Sequence, residues 1–152
     1  SKTPTRKPLI RLDLLPVLTE VAQTKPFLGI CLGMQALLEH SEENNGIAGI
    51  GLFAGNVRYF DDAAKAGLKV PHMGWNNIEN LKSELFNSNM ENTYAYFVHS
   101  YFVPYGAYTI ATCNYPAPFS AAIRKDNFYA VQFHPEKSAE AGVQILKSFL
   151  DL

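Results

Sequence analysis

Apolar residues recur at helical spacing near the start of the chain and then give way to a short, unbroken apolar run. The apolar positions within residues 12–24 are Leu14, Leu15, Val17, Leu18, Val21 and Ala22. This spacing predicts an amphipathic helix that begins near Asp13 and ends at Lys25-Pro26. The run Phe27–Ile30 predicts a buried strand, and a helix followed by a buried strand is typical of a parallel α/β sheet.

Cys31 follows this strand directly, at the centre of the spacing G-x-C-x-G. Gly29 and Gly33 flank the cysteine, and residues 34–39 form a helix-like run. Strand, tight turn and helix together predict a nucleophile elbow, which holds a reactive side chain above the carboxyl end of a strand. We expect both glycines to be required by close backbone packing, and the helix N-terminus to favour a Cys31 thiolate. On this pattern alone, a buried structural cysteine remains an equal alternative.

The second half of the chain is rich in aromatic and β-branched residues, which favour strands. Strands are predicted at residues 57–60, 94–103 and 108–113, and a hairpin at 120–124 and 128–133. A surface turn is predicted at 61–67, an ordered loop at 69–77, and a short helix at 81–86. A closing helix is predicted at 140–150, with Val143, Leu146 and Leu150 on one face.

The predicted strand 128–133 leads directly into His134-Pro135-Glu136. Proline disfavours a helical conformation in the residue before it, and residues two apart in an extended segment point the same way. Glu136 is therefore expected to accept a hydrogen bond from one ring nitrogen of His134, leaving the other nitrogen to face a nucleophile. Nucleophile, base and orienting carboxylate form a triad, here in the order Cys31, His134, Glu136. The alternative is a surface loop with an ion pair.

Composition narrows the class of protein and its setting. The chain has 152 residues, 47% of them apolar, and a net charge of -1, which argues against non-specific nucleic-acid binding. No apolar run approaches the length of a membrane span, and the polar start does not resemble a signal peptide. Cys31 and Cys113 are too few for a disulfide scaffold, so we expect a cytoplasmic protein. The histidines show no metal-binding spacing, and no metal or cofactor is expected.

Two motifs resemble those of the class I (triad) glutamine amidotransferases: G-I-C-L-G-M-Q at 29–35 and Q-F-H-P-E-K-S at 132–138. Two more, K-V-P-H-M-G-W-N at 69–76 and Y-F-V-H-S-Y at 96–101, look like the glutaminase subunits of imidazole glycerol phosphate synthase. The resemblance implies an open, mostly parallel sheet flanked by helices, with a flavodoxin-like core and an antiparallel β extension. It also implies a single glutaminase domain over residues 1–152.

Functional roles carry over from this resemblance position by position. Cys31 would be the nucleophile, His134 the general base and acid, and Glu136 its orienting carboxylate. The backbone N–H of Leu32 would donate to the oxyanion. The positions that match the substrate-binding set are Gln35, Glu43, Ser100 and Tyr101, and those that match the partner interface are Trp75, Tyr96 and Lys137.

The implied reaction is hydrolysis of glutamine to glutamate and ammonia. The resemblance also implies a heterodimer with a (β/α)8-barrel synthase (cyclase) subunit. There the ammonia would join a ribulosyl-formimino nucleotide, giving imidazole glycerol phosphate and an aminoimidazole carboxamide nucleotide for histidine biosynthesis.

The chain departs from the family pattern in one respect. The family has an N-terminal βα region with a P-G-V-G loop that supplies a second oxyanion donor, and no P-G-V-G occurs here. Loss of one such donor costs about 10²–10³ in rate, so we expect an N-terminally truncated domain with weak or no activity alone. The alternatives are the glutaminase of another amidotransferase, a γ-glutamyl hydrolase, or an inactive fragment that only binds a partner. A cysteine esterase or peptidase of α/β-hydrolase type is a weaker alternative, since its acid normally precedes its histidine.

Overall fold

The computed structural model describes residues 16–152. Its α-helices are α1 (16–22), α2 (Leu32–Ala36), α3 (Asp61–Lys65) and α4 (Ala139–Leu150). Its strands are β1 (Phe27–Ile30), β2 (Leu38–Ser41), β3 (Ile47–Ala48), β4 (Phe53–Tyr59), β5 (His72–Asn77), β6 (Tyr94–His99), β7 (Tyr101–Phe102), β8 (Thr109–Asn114), β9 (Pro118–Lys125) and β10 (Phe128–Val131). Short 3-10 turns lie at Glu43–Asn45, Ser88–Met90 and Pro135–Lys137.

The sheet that matters most for the site has the order β1-β10-β9-β8. Strands β1 and β10 are parallel, with Phe27 opposite Phe128 and Ile30 opposite Val131. Strands β9 and β10 form the predicted hairpin, in which Lys125 pairs with Phe128. Because β1 and β10 end at the same edge, the residues that follow them, Cys31 and residues 132–136, leave the sheet side by side.

The remaining strands form smaller sheets beside this one. One has the order β3-β2-β4-β7, with β2 and β4 parallel, and the other is the antiparallel pair β5-β6. Mixed sheets flanked by helices confirm the predicted α/β class. Within residues 16–152, the antiparallel extension is larger than the sequence suggested.

Two hydrophobic clusters make up the core. The larger is rich in aromatic side chains and includes Phe60, Phe97, Phe119 and Phe133. The smaller packs Met34, Leu37 and Leu38 against β4 and the first sheet. Both are dominated by residues that are almost fully removed from water, and burial of that kind supplies most of the free energy of folding.

The prediction for the elbow helix was correct at its start and wrong at its end. Residues 34–39 were expected to be helical, but α2 ends at Ala36 and β2 begins at Leu38. The carbonyls of residues 36–39 accept hydrogen bonds from Ile50, Phe53, Gly51 and Gly49 instead of from the next helical turn. Pairing with distant backbone therefore overrides the local helical preference.

Three other local predictions were also wrong. Residues 69–77 contain strand β5, which pairs along its whole length with β6, and Gly74 within it has φ +128°. Residues 81–86 are not helical, and residues 61–67, expected as a surface turn, begin with helix α3. In residues 69–77, Gly74 was thus interpreted as a break in the strand, although pairing with β6 tolerates it.

The closing helix buries a narrower face than the sequence predicted. Helix α4 buries Gly142 and Ile145, whereas Val143 and Leu150 are exposed. The first helix is observed at 16–22, and the part predicted at 12–15, including Asp13, lies outside the described residues. Within the described part of the chain, no helix is long and apolar enough to cross a membrane.

Candidate active site

Cys31 occupies a sharp turn directly after β1, as the elbow pattern predicted. Its φ of +54° lies in the left-handed region, which L-residues enter at a cost and which is often found at functional turns. Its N–H donates to the Val131 carbonyl at 2.8 Å, which continues the β1–β10 ladder by one residue. A Cβ at Gly29 would lie 3.1 Å from the Gly33 carbonyl, so the close approach expected there is confirmed. Gly33 itself has open space around it, and that part of the prediction was wrong.

The Cys31 sulfur lies between strand β6 and the segment that follows β10. It is 3.9 Å from the Val98 carbonyl, to which the thiol can donate, and 3.7 Å from the Gln132 amide nitrogen, which donates to it. Burial raises the pKa of the thiol above its ordinary value, against the opposing effects of the Leu32 N–H and Gln132. The Leu32 N–H at the start of the helix does favour the thiolate, as expected, but the overall shift of the pKa is in the opposite direction. Helix α2 is a single short turn, and the loss of hydration of the charged form outweighs its contribution.

His134 and Glu136 form the predicted contact, with His134 Nδ1 2.9 Å from Glu136 Oε2. A carboxylate only accepts, so Nδ1 carries the proton and Nε2 is left free. Partial burial tends to raise the pKa of Glu136, but its own N–H, the His134 hydrogen bond and nearby charges lower it overall. His134 is extended as expected, but Glu136 reaches back through the 3-10 turn Pro135–Lys137 and not through a continuing strand.

Cys31 and His134 approach the same strand, β6. The His134 N–H donates to the Tyr96 carbonyl at 2.9 Å, and the Cys31 thiol faces the carbonyl of Val98, two residues further on. Carbonyls two residues apart in a strand are separated by about 7 Å. The two residues therefore lie along the same strand, although the thiol has no hydrogen bond to His134 among the contacts of the described residues.

Three of the expected substrate-binding residues line one cavity beside the elbow. Its volume is about 350 Å³, and Leu32, Gln35 and Glu43 all contribute to its wall. This volume lies at the lower end of the range for small-molecule sites. Tyr101 does not line the cavity, but Glu43 is close enough to help raise the pKa of its phenol, after the larger effect of burial. Ser100 is not part of the wall, and its carbonyl accepts from Phe60 N–H.

The three expected interface residues lie on the molecular surface near the site. Trp75 on β5 is 52% exposed and contacts Tyr96 on β6, directly opposite, with ring centroids 5.9 Å apart. Lys137 is exposed on the turn that follows His134. Met73 is also exposed, two residues before Trp75. The alternation of Met73, Gly74 and Trp75 could have indicated an apolar strand face, had the segment been interpreted as a strand.

Sequence reasoning missed three residues that hold the site together. Ser138 Oγ donates to the His134 carbonyl at 2.6 Å and accepts from the Tyr96 N–H at 2.9 Å. It therefore fixes the 3-10 turn Pro135–Lys137, which we call the triad turn, to β6. Gln132 is fully buried next to Cys31. A Cβ at Gly142 would lie 1.8 Å from the Pro135 carbonyl, so helix α4 packs on the triad turn through bare backbone. Gln132 and Ser138 both belong to the motif at 132–138, which was the available signal.

Within residues 16–152, no three His, Cys, Asp or Glu side chains are grouped closely enough to bind a metal ion. The groups that the site does offer are a thiol, an imidazole and a carboxylate, which suit nucleophilic and acid–base chemistry. Residues 7–152 match the family described as glutamine amidotransferase class-I. The chain belongs to this family.

Among curated relatives, the chain is similar to the imidazole glycerol phosphate synthase subunit HisH of two bacteria. It is 54% identical over 128 residues to the subunit of Bacteroides fragilis, covering 84% of this chain and 64% of that protein. It is 50% identical over 132 residues to the subunit of Escherichia coli K12, covering 86% of this chain and 66% of that protein. The chain thus spans slightly less than two thirds of the length of these relatives.

Two solved structures share the fold of this amidotransferase chain at low sequence identity. A crystal structure of a glutamine amidotransferase matches with a TM-score of 0.63 at 14% identity, over 93% of this chain and 67% of the other. A protein from Thermoplasma acidophilum, described as a putative component of GMP synthase, matches with a TM-score of 0.58 at 20% identity, over 92% and 64%. Both matches support the fold alone.

Proposed function

We propose that this chain is a glutaminase domain that hydrolyses glutamine to glutamate and ammonia for a partner synthase in histidine biosynthesis. The observation that carries the proposal is the pair His134–Glu136 beside the Cys31 elbow, all three approaching the same sheet edge. Membership of the class-I glutamine amidotransferase family supports the reaction type, and 50–54% identity to HisH subunits supports the pathway. We further propose that residues 1–152 act as a single domain.

The reaction begins with transfer of the Cys31 proton to His134 Nε2, the ring nitrogen that Glu136 leaves free. The sulfur attacks the side-chain amide carbon of glutamine, and the oxyanion that forms accepts from the Leu32 N–H. His134 then gives its proton to the departing nitrogen, so that ammonia leaves and a γ-glutamyl thioester remains. Water, deprotonated by His134, attacks the thioester and releases glutamate and the thiol.

The cavity wall supports binding of the amino-acid end of glutamine. Both hydrogens of the Gln35 amide are used within the protein, on the Tyr101 carbonyl and on Gln132 Oε1. Its carbonyl oxygen is left to accept from the substrate's α-ammonium group, and the Glu43 carboxylate in the same wall adds a negative charge. Tyr101 and Ser100 complete the proposed set from the start of β7.

The surface we propose for the partner synthase, a (β/α)8 barrel that would receive the ammonia, is the exposed Trp75 with the half-buried Tyr96 and the nearby Lys137. Tryptophan and tyrosine side chains that pair at the molecular surface in this way are enriched in protein interfaces. The neighbouring triad turn would bring the partner close to the point of ammonia release.

The reaction is tested by labelling with diazo-oxo-norleucine, an electrophilic glutamine analogue, followed by mass spectrometry. We expect modification at Cys31, and loss of both labelling and glutaminase turnover in Cys31→Ala. Cys113→Ala is the matched control, since Cys113 is fully buried and burial raises the pKa of its thiol to about 12. Labelling at Cys113 or elsewhere, with Cys31 unmodified, would contradict the proposal.

The identity of the partner is tested separately, by measuring binding and glutamine turnover with the barrel subunit of imidazole glycerol phosphate synthase. We expect a stoichiometric complex and faster turnover in it. Labelling at Cys31 without binding to this barrel would favour the glutaminase of another amidotransferase or a γ-glutamyl hydrolase. Binding without labelling would favour a partner-binding fragment.

A further inference from the structure

A continuous set of buried and partly buried hydrogen bonds connects the Cys31 sulfur with strand β5. Its members come from the elbow and helix α2, from the segment after β10, and from strands β7, β6 and β5. They are Cys31, Gln132, Gln35, Tyr101, His99, His72 and Asn76. In the sequence, His72 and His99 stood out only as histidines without metal-binding spacing, and Gln132 only as part of a motif.

The half of the network nearest the nucleophile consists of two amide side chains. Gln35 Nε2 donates to the Tyr101 carbonyl at 2.9 Å and to Gln132 Oε1 at 3.0 Å. A carbonyl can only accept, so the atom of Gln35 that faces Tyr101 is its nitrogen, and the atom of Gln132 that faces Gln35 is its oxygen. The nitrogen of Gln132 must then face Cys31, where it donates to the sulfur at 3.7 Å.

The far half consists of two histidines in contact with each other. His99 Nδ1 lies 2.8 Å from the Tyr101 carbonyl and must donate to it, which leaves His99 Nε2 as an acceptor. His72 Nδ1, 3.0 Å away, therefore donates to His99, and His72 Nε2 accepts from Asn76 Nδ2 at 3.1 Å. The amide of Asn76 is fixed in this orientation because its oxygen accepts from the Asn77 N–H at 2.8 Å.

The direction of every hydrogen bond in the network is thus set by groups that can act only as donor or only as acceptor. Both histidines are therefore neutral, with the proton on Nδ1. Burial agrees with this assignment, since it lowers the pKa of His72 to about 4 and that of His99 to about 3. Aromatic rings pack around the pair: Phe97 stacks on His72 at 4.9 Å and Phe60 lies 5.1 Å from His99. In such surroundings, an unpaired polar group is costly, so the network has few alternative arrangements.

We propose that Gln132 is a positioning residue for the Cys31 sulfur, and that the network behind it links the nucleophile to Asn76 on β5. Gln132 holds the sulfur at a fixed place and presents an N–H that favours the thiolate over the thiol. Asn76 lies next to Trp75, so a change on the exposed face of β5 would reach the nucleophile through hydrogen bonds that meet at the Tyr101 carbonyl, which accepts from His99 on one side and from Gln35 on the other. The inference rests on the proposed function of Cys31 as the nucleophile.

The first test measures the rate of Cys31 alkylation by iodoacetamide from pH 6 to 10, with mass spectrometry as the readout. Gln132→Glu keeps an oxygen for Gln35 but replaces the N–H at the sulfur by a carboxylate oxygen. We expect the pH midpoint of alkylation to rise by about one unit, a tenfold loss of rate at neutral pH. Glu136 and Lys137 also act on this thiol and are unchanged in the variant.

Gln144→Glu, on the exposed side of α4, is the matched control and should keep the original midpoint. Cys113 serves as an internal reporter, because it is fully buried and stays unlabelled while the protein is folded. A folded Gln132→Glu protein with an unchanged midpoint would overturn the proposal. Alkylation needs no glutamine turnover, so this result is separate from failure of the glutaminase assay.

The second test does not depend on the variant folding. Long-range proton–nitrogen NMR spectra of the unmodified protein should show His72 and His99 as neutral Nδ1–H tautomers throughout pH 5.5–8. An Nε2–H tautomer at either residue would overturn the network.

The third test addresses the link to β5. Asn76→Ala should change the Cys31 alkylation rate about threefold. The neighbouring Asn77 lies outside the network, because its amide donates to the Asn92 carbonyl, so Asn77→Ala should leave the rate unchanged. Equal rates in the two variants would overturn that link.

Discussion

At the scale of single residues, the hydrogen bond between His134 and Glu136 matters far more for catalysis than for the stability of the fold. The carboxylate is largely exposed, and exposed ion pairs contribute little to stability. Its hydrogen bond nevertheless decides which ring nitrogen carries the proton, and a base in the wrong tautomer cannot take a proton from the thiol.

We therefore expect Glu136→Gln to lower the turnover of glutamine by about 10²–10⁴-fold while the free energy of unfolding changes by less than about 1 kcal/mol. Glutaminase assays and denaturant unfolding measure the two effects. Glu140→Gln, on the exposed first turn of α4, is the matched control and should leave both unchanged. If Glu136→Gln instead lowers the free energy of unfolding enough to account for the loss of turnover, the role of Glu136 is structural.

The buried pair His72–His99 predicts how stability depends on pH. Burial lowers the pKa values to about 4 and about 3 from an ordinary value of 6.5, so between these values the unfolded chain binds more protons than the folded one. The stability that the two neutral histidines contribute is therefore fully present above about pH 6.5 and is lost as the pH falls towards their lowered pKa values. Between those values and the ordinary pKa, each histidine contributes a slope that approaches about 1.4 kcal/mol per pH unit.

Denaturant unfolding at pH 7, 6.5, 6 and 5.5 checks this expectation in a range where ordinary carboxylates contribute little. His40→Asn is the matched control, because His40 is exposed and its removal should leave the slope intact. A flat stability profile between pH 6.5 and 5.5 would contradict neutral, buried histidines.

At the scale of elements, the sequence predicted what depends on neighbours along the chain and missed what depends on distant pairing. Strand β1, the β9–β10 hairpin and helix α4 were found because their apolar periodicity is local. Strand β5 was missed because its register is set by β6, about twenty residues away. The end of α2 was missed because backbone N–H groups of residues 49–53 donate to the carbonyls of residues 36–39.

The same distinction applies to the site. Cys31, His134 and Glu136 were recognisable because residues of these types at this spacing within short motifs are typical of a catalytic triad. Gln132 and Ser138 belong to one of those motifs, but their roles arise from contacts with Cys31 and Tyr96, which the sequence does not specify. The raised pKa of Cys31 was missed for a related reason, since burial is a property of the folded molecule.

The contact between α4 and the triad turn gives the prediction at this scale. A methyl group at Gly142 would overlap the Pro135 carbonyl, which is backbone and cannot rotate away. Gly142→Ala should therefore lower the free energy of unfolding by about 1–3 kcal/mol and displace His134, reducing glutamine turnover. Gly106→Ala is the matched control, because nothing lies within 4 Å of its added carbon. Unchanged stability and turnover in Gly142→Ala would show that the helix adjusts without moving the turn.

At the scale of the whole molecule, the proposed partner surface and the candidate active site share strand β6. Its inward carbonyls contact His134 and Cys31, while Tyr96 on the same strand packs against Trp75. A partner bound over this aromatic pair would therefore contact the strand to which the triad turn is hydrogen-bonded. Strand β6 therefore connects the proposed partner surface with the candidate active site.

The last prediction concerns that surface. Trp75 is exposed, so Trp75→Ala removes little of the core and should change the free energy of unfolding by less than about 0.5 kcal/mol. A buried tryptophan at an interface commonly contributes about 2 kcal/mol or more, so affinity for the barrel synthase should fall by about 30-fold or more in calorimetric titration. Tyr105→Ala is the matched control, because Tyr105 is at least as exposed but lies on the loop after β7, where it lines a different cavity. If Tyr105→Ala weakens binding while Trp75→Ala does not, the partner binds the other face, and the link from β6 to the triad loses its functional meaning.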